Sequence, residues 1–201
     1  MRDDEDLTDL IRAAAGGDRR AFEDLVLAKR DRVVRTAFQI TGNLEDAKDV
    51  AQGVFLRLWR VLQRFDLTKR FDTWLYRITV NAAIDAVRER GPKGVIQALP
   101  DDAGDRLRDP SRGPGQLYDL KQLQGAFFRL AAQLAPRQRA AFVLKEVEGL
   151  ETAEIARVLG VTESTVRNHL LQARRILRDG MRRDYPGFTP GTGDDLDGEP
   201  S

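Results

Sequence analysis

Thr152-Ala-Glu-Ile-Ala-Arg-Val-Leu-Gly-Val-Thr-Glu-Ser-Thr-Val166 has the spacing of a helix-turn-helix. Ala156 is small where two helices would cross closely, and Gly160, four residues on, can take the left-handed conformation that ends the first helix. Val166 would seal the core between the helices, with Ile155 and Leu159 beneath it, and Thr162 supplies an N-cap for the second helix. The early residues of that second helix then face outward: Ser164, Arg167, Asn168, Leu171 and Gln172. Arginine bonds guanine bidentately, asparagine and glutamine do so with adenine, and leucine meets a thymine methyl, so this face suits duplex DNA. The bland alternative is a solvated helix hairpin whose arginines only keep it soluble. His169, on the same helix, is read as a phosphate contact or as plain surface.

Outward from this motif the chain reads as all-α, in two small helical domains. The C-terminal block, 116–185, carries helical periodicity over Gln116–Leu134, Pro136–Val147, Thr152–Leu159 and Thr162–Arg183. Pro136 suits a first helical turn, where its missing N–H costs nothing. Arg167, Arg174, Arg175, Arg178, Arg182 and Arg183 crowd the last helix. Before this block, residues 91–115 are broken by Gly91, Pro92, Gly94, Pro100, Gly104, Pro110, Gly113, Pro114 and Gly115, which reads as a flexible linker. After it, 186–201 reads as a disordered acidic tail with Asp194, Asp195, Asp197 and Glu199.

The N-terminal block, 1–90, reads as four helices. A short one spans Asp6 to Ala15; Asp18 caps the second, which carries Phe22, Leu25, Val26, Val33, Val34, Ala37 and Phe38 and ends before Gly42. Asn43 caps the third, whose stripe is Ala47, Val50, Ala51, Val54, Phe55, Leu58, Trp59 and Leu62. After a polar loop, 64–70, the fourth turns Phe71, Trp74, Leu75, Ile78 and Ala82 inward. Along it Trp74, Arg77, Asn81, Asp85 and Arg88 recur at steps of three and four. An aromatic, an amide and cations on one stripe suit an unstacked base and its phosphates, although Trp74 taken alone fits a core position better. A mid-helix asparagine has poor propensity and needs a compensating reason.

Composition narrows the function classes. The 201 residues include no cysteine and one histidine, which removes disulfides and thiolate metal sites and argues against zinc and a Ser-His-Asp triad. No apolar run approaches the roughly 20 residues of a membrane span, and acidic Met1 to Asp9 is no signal peptide, so a cytoplasmic chain without membrane insertion is expected. No metal, cofactor or catalytic residue is expected, and no Gly-rich phosphate loop is present. Net charge is only +1, so local basic patches would bind nucleic acid weakly alone and leave a larger partner to supply affinity.

Two blocks carry a resemblance. Asp49-Val-Ala-Gln52-Gly-Val-Phe55-Leu-Arg-Leu-Trp59 with Phe71-Asp-Thr-Trp74-Leu-Tyr-Arg77-Ile-Thr-Val-Asn81-Ala-Ala-Ile-Asp85-Ala-Val-Arg88 closely resembles region 2 of the sigma-70 family, and its small extracytoplasmic-function (ECF) branch most of all. Leu134-Ala-Pro136-Arg-Gln-Arg139 through Glu154-Ile-Ala and Thr165-Val-Arg167 to Ala173-Arg174 similarly resembles region 4. The resemblance implies an RNA polymerase sigma factor, not an enzyme, with core polymerase, promoter DNA and an anti-sigma factor as partners. It puts docking on the polymerase β′ clamp helices at Asp49 and Gln52, with Arg57 and Arg60 at the rim, and leaves Phe55, Leu58 and Trp59 mainly to the core. Gly53 stands where the family usually has an acid. The loop 64–70 corresponds to the loop that captures a flipped base of the −10 element, a role carried to Phe65, Lys69 and Asn81 beside the stripe cations Arg77 and Arg88. The second block, Arg174 included, would read the −35 element as duplex and touch the β flap. The rival readings are a dimeric helix-turn-helix regulator acting without clamp binding, and a nucleic-acid-processing enzyme with carboxylate-bound metal.

Overall fold

A computed structural model describes residues 2–91 and 125–185. The linker from residue 92 onward, the start of the helix expected at Gln116, and the tail at 186–201 lie outside the described residues. Among the described residues all regular structure is helical: α1 (Arg2–Ala15), α2 (Arg19–Thr41), α3 (Leu44–Val61), a 3₁₀ turn (Leu62–Arg64), α4 (Phe71–Arg90), α5 (125–131), α6 (Pro136–Phe142), a π-turn (Val143–Val147), α7 (Thr152–Leu159) and α8 (Glu163–Asp184).

The expected caps are in place because each follows from local chemistry. Asp18 accepts from the Arg20 and Ala21 amides at 2.8 and 3.1 Å, and Asn43 from those of Glu45 and Asp46 at 2.9 and 3.1 Å. Gly42 ends α2 in the left-handed region at φ +70°. Three boundaries differ from expectation. α1 begins at Arg2 rather than Asp6; α5 ends at 131, giving way to turns whose amides bond three residues back (Gln133 to Leu130, Leu134 to Ala131); and α6 loosens after Phe142 into the π-turn, closed by the Glu148 amide on the Val143 carbonyl at 3.1 Å.

α1 to α4 wrap a core of Leu25, Ile40, Val54, Leu58, Leu62 and Val80. In the second block Leu130, Ala131 and Leu134 pack on Ala173 and Leu177 of α8. Gly180 lets α8 come close to α5, since a side-chain carbon there would meet Leu130 Cδ2 at 2.3 Å.

The two blocks also pack directly on each other, through one continuous apolar cluster that runs from Ile11 to Leu170. Phe38 of α2 meets Phe128 of α5 edge-on at 5.1 Å. Two arginines then serve the C-terminal carbonyls of α2, the negative end of its dipole: Arg90 Nη2 donates to Thr41 at 3.0 Å, and Arg139 Nε, from α6, donates to Gln39 at 2.9 Å. Burial pushes the Arg139 pKa down to about 10, and the neighbouring Arg90 charge adds to the effect. Arg90 keeps a carboxylate partner in Asp46 at 2.6 Å.

Candidate nucleic-acid interface

The helix-turn-helix is built as its spacing predicts. Gly160 turns the chain at φ +66°, ψ +39°, Thr162 Oγ1 accepts from the Thr165 amide at 3.2 Å, and Ile155 and Val166 are fully buried between α7 and α8. With that side inward, Ser164, Arg167, Asn168, Leu171, Gln172 and Arg174 are all exposed on α8. Leu171, at 63% exposure, is an exposed apolar side chain on this polar face. Arg167 is held loosely by Glu163 at 3.7 Å, and Gln172 accepts from Gln138 Nε2. Arg174 is tied more firmly, to Glu146 at 2.7 Å. His169 is half-buried, and burial, together with the Arg137 charge, lowers its pKa.

A second polar face runs along α4. Arg77, Asn81, Asp85 and Arg88 are exposed on one stripe, with Asp85 and Arg88 paired at 3.8 Å. Arg77 and Asn81 have no side-chain partner among the described residues. Among the described residues Asn81 therefore bonds no neighbouring helix. At the start of α4, Phe65 lies against Trp74 with ring centroids 4.7 Å apart and meets Phe71 edge-on at 5.5 Å. Trp74 is half-buried in this cluster, between its core and surface readings. Lys69 is exposed and pairs with Asp66 at 3.6 Å. The structure brings Phe65 to Trp74, and Asn81 stands two turns, roughly 10 Å, further along the helix.

The outer face of α3 carries Asp49, Gln52, Gly53, Arg57 and Arg60, all exposed, and none of its side chains pairs with another described residue. Leu56, 56% exposed, sits in the middle of this polar set, one turn from Gln52, Gly53 and Arg60. Sequence reading passed over it, although its step of three from Gly53 and seven from Asp49 places it off the buried stripe. Trp59 corrects an expectation. It is 41% exposed rather than core, with one side of its ring against Phe22 at 4.7 Å.

Among the described residues no group of three or more His, Cys, Asp or Glu is placed to hold a metal ion, and no helix is long and apolar enough to cross a membrane. A cavity between α2 and α4, lined by Arg32, Thr36, Asp72 and Tyr76 among others, has a volume of about 10 Å³. That is room for one water.

Two helical blocks, each presenting a polar, partly cationic helix face, define a nucleic-acid-reading adaptor. The relatives agree. Residues 17–92 match the family described as Sigma-70 region 2, and 124–177 match Sigma-70, region 4. The chain is 39% identical over 172 residues to the ECF RNA polymerase sigma factor SigE of Mycolicibacterium smegmatis, a match spanning 84% of this chain and 66% of that protein. It is 32% identical over 181 residues to the ECF RNA polymerase sigma-E factor of Escherichia coli K12, covering 86% of this chain and 94% of that one. A solved structure of CnrH in complex with the cytosolic domain of CnrY is similar with a TM-score of 0.64 at 25% identity, covering 88% of this chain and 97% of that one. The chain belongs to the sigma-70 family of RNA polymerase sigma factors, in its extracytoplasmic-function branch, which directs promoter-specific transcription initiation. The region 2 match sets aside a stand-alone helix-turn-helix regulator.

Proposed function

We propose that the two blocks divide initiation between them. The first, 1–90, docks on the β′ clamp helices of core polymerase through Asp49, Gln52, Arg57 and Arg60 around the apolar Leu56, and opens the −10 element with Phe65, Lys69, Arg77, Asn81 and Arg88. The second, 116–185, reads the −35 element as duplex with Ser164, Arg167, Asn168, Leu171, Gln172 and Arg174, and touches the β flap. The observation that carries this reading is that the α3, α4 and α8 faces are exposed together, while their apolar sides are consumed by the core. Exposed amides and cations, unpartnered at Arg77 and Asn81 among the described residues and elsewhere held only in surface pairs, suit base and phosphate contacts.

The protein acts by binding and has no catalytic step of its own, in the cytoplasm where polymerase works. A protein partner of the anti-sigma kind is part of the proposal, as the family resemblance implies, and the similar CnrH is itself held in complex with another protein, the cytosolic domain of CnrY. Run-off transcription with core polymerase and the purified chain tests the whole. Sequenced transcripts should share upstream elements near −10 and −35. Core that binds the chain yet initiates nowhere beyond its own background overturns the reading.

A further inference from the structure

Gln138 and Gln172 join the first turn of α6 to the outer face of α8. The two helices are packed together, with Phe142 of α6 lying against the apolar cluster that holds Ala173 and Leu177 of α8. Ala135 is the N-cap of α6, and its amide donates to Gln138 Oε1 at 3.1 Å. This is the bond that a glutamine at the third helical position makes back to its cap. It settles which way round the Gln138 amide sits. An N–H is met only by an oxygen, so Oε1 turns to Ala135 and Nε2 turns away from it as a pure donor. Gln138 Nε2 then donates to Gln172 Oε1. Only the oxygen of the second amide can accept that proton, so Gln172 is fixed in its turn. Its Nε2 has no partner among the described residues, and the side chain is exposed one turn on from Asn168.

A base preference follows. A glutamine free at both ends pairs with adenine, its oxygen on N6 and its nitrogen on N7. Gln172 has its oxygen held toward α6, and the end left for DNA is the nitrogen with its N–H groups. In the major groove guanine presents two neighbouring acceptors, N7 and O6; adenine sets a donor beside its acceptor, and cytosine shows a donor. An amide that faces the groove with nitrogen alone matches guanine. It leaves the amine of adenine or cytosine without an acceptor, which costs affinity for those bases.

We propose that Gln138 is a positioning residue for sequence reading: it holds Gln172 nitrogen-outward and so selects guanine at the base pair Gln172 contacts. The proposal rests on the duplex-reading role given above to α8. A carboxylate at position 138 inverts the relay. One of its oxygens still caps the Ala135 amide, while the other accepts an N–H from Gln172 and turns the Gln172 oxygen outward.

The test uses the full chain assembled with core polymerase, and a pool of duplex promoters randomised across the upstream element. Bound duplexes are recovered and sequenced. Gln172→Ala locates the base pair, as the position where preference relaxes. At that pair the wild-type chain should favour guanine by about fivefold or more. Gln138→Glu should move the preference to adenine or cytosine by a similar factor, and Gln138→Ala, which frees both ends of Gln172, should move it to adenine. Positions read by other residues should keep their preferences. If Gln138 serves only as a cap, Gln138→Ala lowers the melting temperature, Gln138→Glu does not, and neither shifts the preference; that result overturns the proposal. So does a wild-type preference at that pair for any base but guanine. If Gln172→Ala relaxes no position while the wild-type chain still selects a sequence, Gln172 is no base contact and the positioning role falls with it. A wild-type chain that selects no upstream sequence at all overturns the duplex-reading role of α8 itself, so the failures are distinct.

Discussion

Gly42 and Arg139 occupy one place from opposite sides of the block interface. A side-chain carbon on Gly42 would lie 2.9 Å from Arg139 Nη2, while Arg139 Nε donates to the Gln39 carbonyl at 2.9 Å. Glycine is thus required twice at position 42, for its left-handed φ and for the space its hydrogen leaves. Gly42→Ala should lower stability by about 1–3 kcal/mol, from backbone strain together with displacement of a buried guanidinium. Gly160→Ala is the control, because its φ is equally left-handed and nothing lies within 4 Å of the added carbon. Thermal melts should show the larger loss for Gly42→Ala. Equal losses would mean that Arg139 yields freely.

Gly53 presents the opposite case. It lies inside α3, it is exposed, and an added carbon meets nothing within 4 Å. Gly53→Ala should therefore stabilise the chain by about 0.5–1 kcal/mol. Gly53→Glu, which supplies the acid usual in the family, should stabilise similarly and also tighten core binding. If affinity is the same for glycine, alanine and glutamate, position 53 lies outside the docking surface.

Asp49 and Gln52 lie one turn and one residue before that position and have no partner among the described residues. Replacing both with alanine should leave the melting curve unchanged within about 0.5 kcal/mol, as for surface sites generally. Core affinity should fall by tenfold or more in a direct binding titration. Unchanged affinity with a normal melt would remove both from the interface.

Arg167 is exposed and held only by a 3.7 Å pair with Glu163. Arg167→Ala should weaken binding to the upstream element by about 1–3 kcal/mol if it contacts a base bidentately, and relax preference at one position. Competition between matched and single-substituted duplexes reads this directly. Equal loss on every sequence would mark a phosphate contact.

What could be read in advance was whatever local chemistry decides. Asp18, Asn43, Gly160 and Thr162 are capping residues because a helix end needs a nearby acceptor or a left-handed residue, and neither depends on distant chain. The exposed faces of α3, α4 and α8 followed from the phase of their apolar stripes. Glu148, Tyr76 and Arg139 were illegible for the converse reason. Each is satisfied by a group 72 or more residues away, and an acid after a helix, a tyrosine mid-helix or an arginine near a proline reads as surface until the blocks are packed. Gly180 looked like a flaw in a helix until Leu130 came against it. Trp59 counted as core by period alone, but among the described residues only the Phe22 ring of α2 lies against it, so one side of the ring stays in water.

The role proposed for Asn81 concerns the step that separates a sigma factor from an ordinary regulator. The residue is exposed in mid-α4, without a hydrogen bond to any described residue, so packing does not offset its poor helix propensity. Its amide offers both donor and acceptor to a base edge. Arg77 lies one turn before it and Arg88 two turns after it, both exposed on the same stripe, which is why the proposal gives them the neighbouring phosphates. The aromatic cluster at the start of the helix has Phe71 buried, with Phe65 and Trp74 half-buried beside it. Asn81→Ala should leave thermal stability equal or slightly raised, by up to about 0.7 kcal/mol, since alanine is the better helix former. Core binding and binding to the upstream element should also be unchanged. Open-complex formation on duplex promoters should fall, with partial rescue on a template premelted at the −10 element. Permanganate footprinting of promoter thymines, run beside a thermal melt, measures both. Normal opening by the mutant removes Asn81 from the mechanism, and a drop in every assay together would assign it to the fold instead.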